Sequence, residues 1–452
     1  MEITSHWKFA PACWLSTPSQ TERFGLEIWT IYEFAKEIMK THDVIFASRP
    51  CILAAEIMSH DSTGVVFTPY GDYWRQVRKI CTLELLSMKQ VQSFRVIREE
   101  EVANLITLIA SKAGSPFNLT EKVHSLIYGM TSRAAFGNKF KDQELFISLM
   151  DETTKVAGGF DIADLYPSVE FLQSITGDKR QIEKLLQETD RILESIINEH
   201  KKGKVTSNIG KSKEAEDLVD VLLRIQEQGE LEFPLTTDNI KAVVLEIFGA
   251  GGETAATTVD WAMSELMKNT RLLEMAEAEV REFFNRKGKI NETSIDEMKF
   301  LKLVVKETLK LHPYAPLLVP RESSERCIVN GFDIPMKTRV IVNAWAIGRD
   351  TEYWNEPGIF NPERFLNRSV DYKGTNFEFI PFGAGRRVCP GMSFGLTNVE
   401  LTLAMLLYHF DWKLSNGMKN EDLDMTEVFG ITVRRKDDLQ LIVIPYHPST
   451  GA

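Results

Sequence analysis

The chain has 452 residues, 43% of them hydrophobic and 26% charged, with a formal net charge of −11. That is ordinary globular composition, long enough to bury a large core, and the acidic balance argues against wholesale nucleic-acid binding. Its five cysteines (Cys13, Cys51, Cys81, Cys327, Cys389) are scattered and form no CxxC, which points to a reducing compartment without a disulfide framework or zinc site.

No apolar run is long enough to cross a membrane, and the opening MEITSHWKFAPACWLSTPSQ lacks the basic-then-apolar layout of a signal peptide. Further on, QIEKLLQETDRILESIINEH places Ile182, Leu185, Leu186, Thr189, Ile192, Leu193 and Ile196 on one helical face. The polar, glycine-bearing stretch 201–217 reads as an exposed loop. A long helix is predicted from about Thr237 to Lys268, with Thr237 or Asp238 as N-cap. Its interior holds Gly249, Gly251 and Gly252, each costing about 1 kcal/mol relative to alanine. Either the helix is distorted there, or small residues leave room for something large. NTRLLEMAEAEVREFF and SIDEMKFLKLVVKETLKLH are further helices, the second stopped by Pro313. The period then changes. ERCIVNGFDIP reads as a hairpin with a type I′ turn at Asn330-Gly331. TRVIVNAWAI reads as a strand, Gly391 to Phe410 as a helix and LQLIVIPY as a last strand. Helices dominate and the short strands do not alternate with them, which predicts a mainly α fold with a small β-rich part and no doubly wound sheet.

The segment PFGAGRRVCPG, 381–391, carries the chemistry. A thiol ligates metal as thiolate, and nearby cations or a helix N-terminus favour that form. Arg386 and Arg387 precede Cys389, and a helix begins near Gly391. Gly383, Gly385 and Gly391 let backbone approach a flat object, and Pro390 suits helix entry. A lone thiolate with no other ligand residue nearby suggests a metal that brings its own four ligands, which means haem. An isolated cysteine is most often a buried structural residue. Against that stands the frame Phe382, Gly385, Arg387, Cys389, Gly391. It would arise by chance on the order of once in ten thousand such chains, so the haem reading is preferred.

With those residues in place, the sequence resembles the cytochrome P-450 superfamily of haem-thiolate monooxygenases, and within it the plant microsomal group acting on terpenoids and other specialised metabolites. The resemblance runs from about residue 33 to the end and includes GDYWRQVRKICTLELLS and GMSFGLTNVELTLAMLLYHFDWKL. It implies a large α domain with a small β-rich part near the N-terminal region and haem between the long central helix and the cysteine loop. In AGGETA, 250–255, it implies that Thr254 hydrogen-bonds dioxygen and that Glu253 relays protons; Ala255 departs from the usual Ser or Thr. Trp74 and Arg78, four apart on one helix face, with Arg321 and Arg387, are implied to hold the haem propionates, and Phe382 to line the haem. ETLK, 307–310, matches the family's Glu-x-x-Arg pair with Lys310 in place of arginine, and Arg364 completes an ion-paired knot. Substrate-facing stretches by the same resemblance include Ile57, Met58, Val66, Phe160, Phe248, Leu317, Leu318, Phe429 and Ile431. They suggest a lipophilic substrate.

The expected domain is 35–452, preceded by an atypical segment 1–34 that lacks the family's anchor helix, its proline-rich hinge and one sheet edge. The implied partners are an NADPH-dependent flavoprotein reductase, docking on Arg75, Lys79 and Arg386, and a small lipophilic molecule oxidised with O2. The implied location is the cytosolic face of the endoplasmic reticulum, with membrane attachment left open because no anchor is seen. Two rival readings stay open on the sequence: a haem-thiolate rearrangement enzyme that does not use O2, and a degenerate, non-catalytic haem-binding product.

Overall fold

Apolar residues recurring at helical spacing make most of this chain helical. The computed structural model describes residues 26–29, 32–157, 178–206, 216–288, 292–428 and 430–447. Its longer helices are α1 (Asp72–Ile80), α2 (Arg95–Ala110), α3 (Leu119–Phe136), α4 (Gln143–Ala157) and α5 (Asp178–Thr206). They continue with α6 (Leu218–Gln228), α7 (Thr237–Lys268), α8 (Thr270–Lys287), α9 (Lys299–Leu311) and α10 (Met392–His409).

Helix α7 is the axis of the molecule and is buried along almost its whole length. Its N-cap is Thr236, one or two residues earlier than the sequence suggested, in a capping box with Asn239. The three glycines do not break it, and it runs unbroken for 32 residues. Two of them are explained by a neighbouring helix. A Cβ on Gly252 would collide with the ring of Tyr128 from α3, and one on Gly251 would press on Thr131 of α3 and Phe394 of α10. The small residues therefore let α3 approach closely. Only Gly249 faces open space.

On α5, Ile182, Leu185, Thr189, Ile192, Leu193 and Ile196 are buried as their spacing predicts. The helix continues to Thr206, so the first residues of the expected 201–217 loop are helical. Asp217, at the other end of that stretch, caps α6. Residues 207–215 lie outside the described residues. At the end of α9, His312 stacks on Trp261 of α7, with ring centroids 3.8 Å apart.

The strands are short. One sheet has the order β1 (Leu26–Trp29), β6 (Arg339–Val342), β3 (Arg321–Glu322). Another joins β2 (Pro116–Asn118), β10 (Gln440–Pro445) and β7 (Phe410–Leu414). Two hairpin pairs complete the set: β4 (Cys327–Val329) with β5 (Phe332–Ile334), and β8 (Glu427–Val428) with β9 (Arg434–Arg435). Positive φ at Asn330 (48°) and Gly331 (84°) makes the predicted type I′ turn of the β4–β5 hairpin. Strand β6 stops at Val342, because Asn343 caps a short helix, Ala344–Ile347, where a continuing strand was expected. Strand β1 pairs in parallel with β6, Leu26 opposite Arg339. The sheet edge expected to be missing from the segment 1–34 is thus present. Among the described residues the β-rich part draws chiefly on the C-terminal third, not on the N-terminal region.

One apolar core gathers residues of α2, α3, α7, α8, α9 and α10, and a second gathers residues of α1 and α3 to α7. A third, with Ile38, Phe46, Val340, Ile380 and Ala384, supports the loop that precedes Cys389. Among the described residues no helix is long and apolar enough to cross a membrane.

Candidate active site

The loop around Cys389 is shaped by backbone constraints. Gly385 has φ +68°, and a Cβ there would collide with the Met39 carbonyl and the Asp43 carboxylate, so only glycine fits. The Cys389 amide donates to the Phe382 carbonyl at 3.0 Å, closing the turn before α10. Burial pushes the Cys389 thiol up, while the Gly391 amide and Arg78 pull it down. The cation that favours the thiolate is thus Arg78, whose Nη2 donates to the Val388 carbonyl at 2.6 Å. Arg386 and Arg387, expected to act on the sulfur, turn elsewhere. Arg386 is exposed and faces Asp43 at 3.7 Å. Arg387 is buried and donates to the carbonyls of Ala47, Val65, Val66 and Thr68. The helix N-terminus acts as expected, through the Gly391 amide.

Arg387 belongs to a cluster. Its guanidinium lies 4.2 Å from the Trp74 ring centre, and the Trp74 indole donates to the Val65 carbonyl at 3.0 Å. Arg321 donates to the Ala384 carbonyl (2.8 Å), the Phe46 carbonyl (3.3 Å) and Asp43 (3.4 Å). Arg49, which the sequence reading did not single out, is buried and donates to the carbonyls of Val66, Val319 and Pro320. Burial, with repulsion from Arg321 and Arg78, lowers the pKa of Arg387 to about 9. Arg49 is lowered by burial and by Arg387, Arg321 and Arg78. Four guanidiniums thus face two carboxylates, Asp43 and Glu246. That excess of buried positive charge suits a ligand bearing two carboxylates, as haem does.

Across the site, α7 is buried except along one stripe. Glu246, Gly249, Ala250, Gly251 and Thr254 keep accessible surface while their neighbours are closed off. Glu246, Ala250 and Thr254 are spaced four apart and share one face. The Thr254 hydroxyl donates back to the Ala250 carbonyl at 2.8 Å. Glu253 points off this stripe. It is buried, which pushes its carboxyl up, and its Oε2 has no hydrogen-bond partner among the described residues. Ala255 is buried in the apolar core and away from the stripe, so a hydroxyl at that position would not face the open side. A single thiol beside Arg78, the guanidinium excess and an open stripe on α7 all fit a haem; Phe394, five residues after Cys389, touches Gly251 and ties the two sides together.

Glu246 was also missed by the sequence reading. Its Oε2 accepts from the amides of Val65 (2.5 Å) and Val66 (2.9 Å), and Gly64 leaves no room for a Cβ beside that carboxylate. Burial pushes its pKa up to about 7 despite these amides and Arg387. A half-buried acid and a loop glycine far apart in sequence carry no local signature, which is why no motif pointed to them.

The knot of Glu307, Lys310 and Arg364 is assembled as expected. Glu307 and Lys310 side chains are fully enclosed, 3.4 Å apart, and Arg364 Nε reaches Glu307 at 3.0 Å. Lys310 Nζ also donates to the carbonyls of Pro357 (2.8 Å) and Gly348 (3.3 Å). Its three donors are therefore matched by three acceptors. Burial pushes Glu307 up and Lys310 down, and their mutual attraction opposes both shifts.

The expected pocket residues divide. Phe248 is core, packed against Tyr128, Phe136 and Phe146 at 4.8–5.7 Å between ring centres. Met58 is buried in the second core. Ile57, Val66, Leu317 and Leu318 are half-buried and Ile431 is exposed. Phe160 and Phe429 lie outside the described residues.

Comparison with known proteins agrees with this geometry. The cytochrome P-450 family model matches residues 27–442. Desmethyl-deoxy-podophyllotoxin synthase of Sinopodophyllum hexandrum is 56% identical over 92% of this chain and 82% of its own length. Premnaspirodiene oxygenase of Hyoscyamus muticus is 52% identical over 92% and 83%. The 5-epiaristolochene 1,3-dihydroxylase of Nicotiana tabacum is 50% identical over 93% and 84%. Among solved structures, a zebra fish cytochrome P-450 with progesterone superposes with a TM-score of 0.79 at 23% identity, covering 92% of this chain and 93% of that one.

Proposed function

Because the chain belongs to the cytochrome P-450 family, we propose that Cys389 is the haem ligand of a monooxygenase that hydroxylates a terpenoid-like hydrocarbon. The family uses haem, O2 and electrons passed from NADPH by a flavoprotein reductase. When bound, haem with a thiolate ligand supplies the oxygen-activating chemistry. The observation that carries the assignment is the open stripe on α7, where Thr254 stands beside a buried Glu253 whose carboxyl is pushed up by burial.

Arg78, Arg321 and Arg387, joined by Arg49, would hold the two propionates; Trp74 lies against the Arg387 guanidinium and fixes the Val65 peptide. Phe382, half-buried, lines the proximal face. Thr254 offers a hydroxyl to dioxygen, and Glu253 holds the proton that chemistry consumes. Arg75 and Arg386 flank the Tyr70 ring at 5.5 and 5.8 Å and with Lys79 make an exposed basic patch for an acidic reductase face. Residues 35–452 are the haem-binding domain, with β1 completing its sheet from outside that range. The resemblance to microsomal relatives supports a location at the cytosolic face of the endoplasmic reticulum, and co-sedimentation with microsomes tests that.

The names of the relatives direct the substrate screen to premnaspirodiene and 5-epiaristolochene. Turnover that requires both NADPH and reductase is expected and would exclude a rearrangement enzyme. A thiolate-type carbon monoxide spectrum is expected and would exclude a degenerate product. Glu253→Gln and Thr254→Ala should each lower product formed per NADPH by about 10²-fold while leaving that spectrum intact. Full coupling in both variants would overturn the roles given to this pair.

A further inference from the structure

Glu253 is 7% exposed at its side chain, and it needs a route by which protons reach it. Across the contact between α3 and α7, His124 Nδ1 lies 3.5 Å from Glu253 Oε2, the oxygen that has no hydrogen-bond partner among the described residues. The closeness of the two helices comes from Gly252, which accepts the Tyr128 ring one turn along α3 from His124. The imidazole keeps 18% of its surface in solvent. One ring therefore spans the distance from bulk water to a buried carboxyl.

The charges around the pair suit proton exchange. Burial pushes His124 down, Asp260, Asp151 and Asp438 raise it, and Arg434 lowers it. Burial pushes Glu253 up, while Arg434 and Lys155 oppose this; the Thr257 hydroxyl opposes it as well but has no hydrogen bond of good geometry. Tyr128 and Tyr314 also face Glu253, and burial keeps both phenols protonated. Asp260 is occupied by the Thr120 hydroxyl at 2.5 Å. Both His124 and Glu253 are thus drawn toward their neutral forms, so a proton passing between them creates no isolated buried charge.

We infer that His124 carries protons from solvent to Glu253. A proton taken up at Nε2 releases the Nδ1 proton to Glu253 Oε2. The imidazole is left as its other neutral tautomer, and loss of its Nε2 proton to water with uptake of a water proton at Nδ1, once the ring has turned outward, restores the first. His124 acts through Glu253 and is a positioning and relay residue. The inference rests on the reading of Glu253 as the proton donor, which Glu253→Gln tests separately through coupling.

The test follows the proton itself in the full-length, haem-loaded protein. The carboxyl stretch of protonated Glu253, assigned as the infrared band lost in Glu253→Gln, is followed after rapid mixing into D2O. His124→Phe should slow its isotope shift about tenfold or more, with the carbon monoxide spectrum unchanged. His124→Asp, whose carboxyl also carries protons, should restore the parent rate. A shift in His124→Phe as fast as in the parent overturns the relay and leaves the role of Glu253 standing. Slow exchange in both variants also overturns it, since a merely structural histidine would behave that way.

Discussion

The two sides of the site are built on opposite rules. Around the Cys389 loop every buried guanidinium is bonded: Arg387 to four carbonyls, Arg49 to three, and Arg321 to two carbonyls and a carboxylate. In the middle of α7, Glu246 Oε1, Glu253 Oε2 and Thr257 Oγ1 are buried without hydrogen-bond partners among the described residues. A buried polar group left unmatched costs about 1–3 kcal/mol. That cost is absent from the guanidiniums of the cradle and is borne by these three atoms of α7. On the proposed function, the first group holds a cofactor and the second lies where protons move.

Substitutions sharpen this contrast. The largest effect belongs to Cys389→Ala, which should abolish the thiolate-type carbon monoxide spectrum; an unchanged spectrum would place the iron ligand elsewhere. Next is Lys310→Met. It leaves Glu307 buried against Arg364 alone and should cost about 3–5 kcal/mol in denaturant unfolding. Lys310→Arg replaces a point charge with a fork and should raise haem occupancy modestly. Equal occupancy would mean that the three acceptors around the ammonium already satisfy the knot.

On the helix side the effects are pH-dependent. Glu246 has its pKa raised in the folded state from 4.5 to about 7, first by burial. The folded protein therefore holds this proton more tightly than the unfolded chain. The resulting stability is full below 4.5 and is lost as pH rises through about 7. Glu246→Gln should flatten the unfolding midpoint across that window, and a slope equal to the parent's would rule the group out. The smallest effect lies far from the site. Burial opposes protonation of His200, but its bond to Asp217 outweighs this and raises its pKa from 6.5 to about 9. Its contribution is full below 6.5 and is lost as pH rises through about 9. His200→Gln should remove that alkaline loss in thermal melts.

The proximal side was the legible one. Cys389, Gly385 and Arg387 lie within a few residues of one another, and a turn that tolerates only glycine leaves a local trace. Trp74 and Arg78 share one helical turn, and Glu253-Thr254 is a dipeptide on a helix that the apolar pattern already marked. What escaped was assembled at long range. Asp43 and Arg49 share one loop, Glu246 lies on α7 and His124 on α3, and none carries a neighbour that betrays its partner. Arginine order was misleading for a related reason. Adjacent Arg386 and Arg387 point to opposite sides of their turn, one to solvent and one into the cradle, while the cation beside the sulfur comes from α1. The same long-range rule explains the glycines of α7, whose meaning lies in α3.

The peptides from Val65 to Thr68 are gripped along both edges. Their amides are held by the Glu246 carboxylate and their carbonyls by Trp74, Arg49 and Arg387. With haem held there as proposed, a guest molecule leaning on this ribbon would tug on the clasp of the porphyrin, so swapping Val66 for a bulkier neighbour should perturb the optical signature of the iron as well as the fit of the guest.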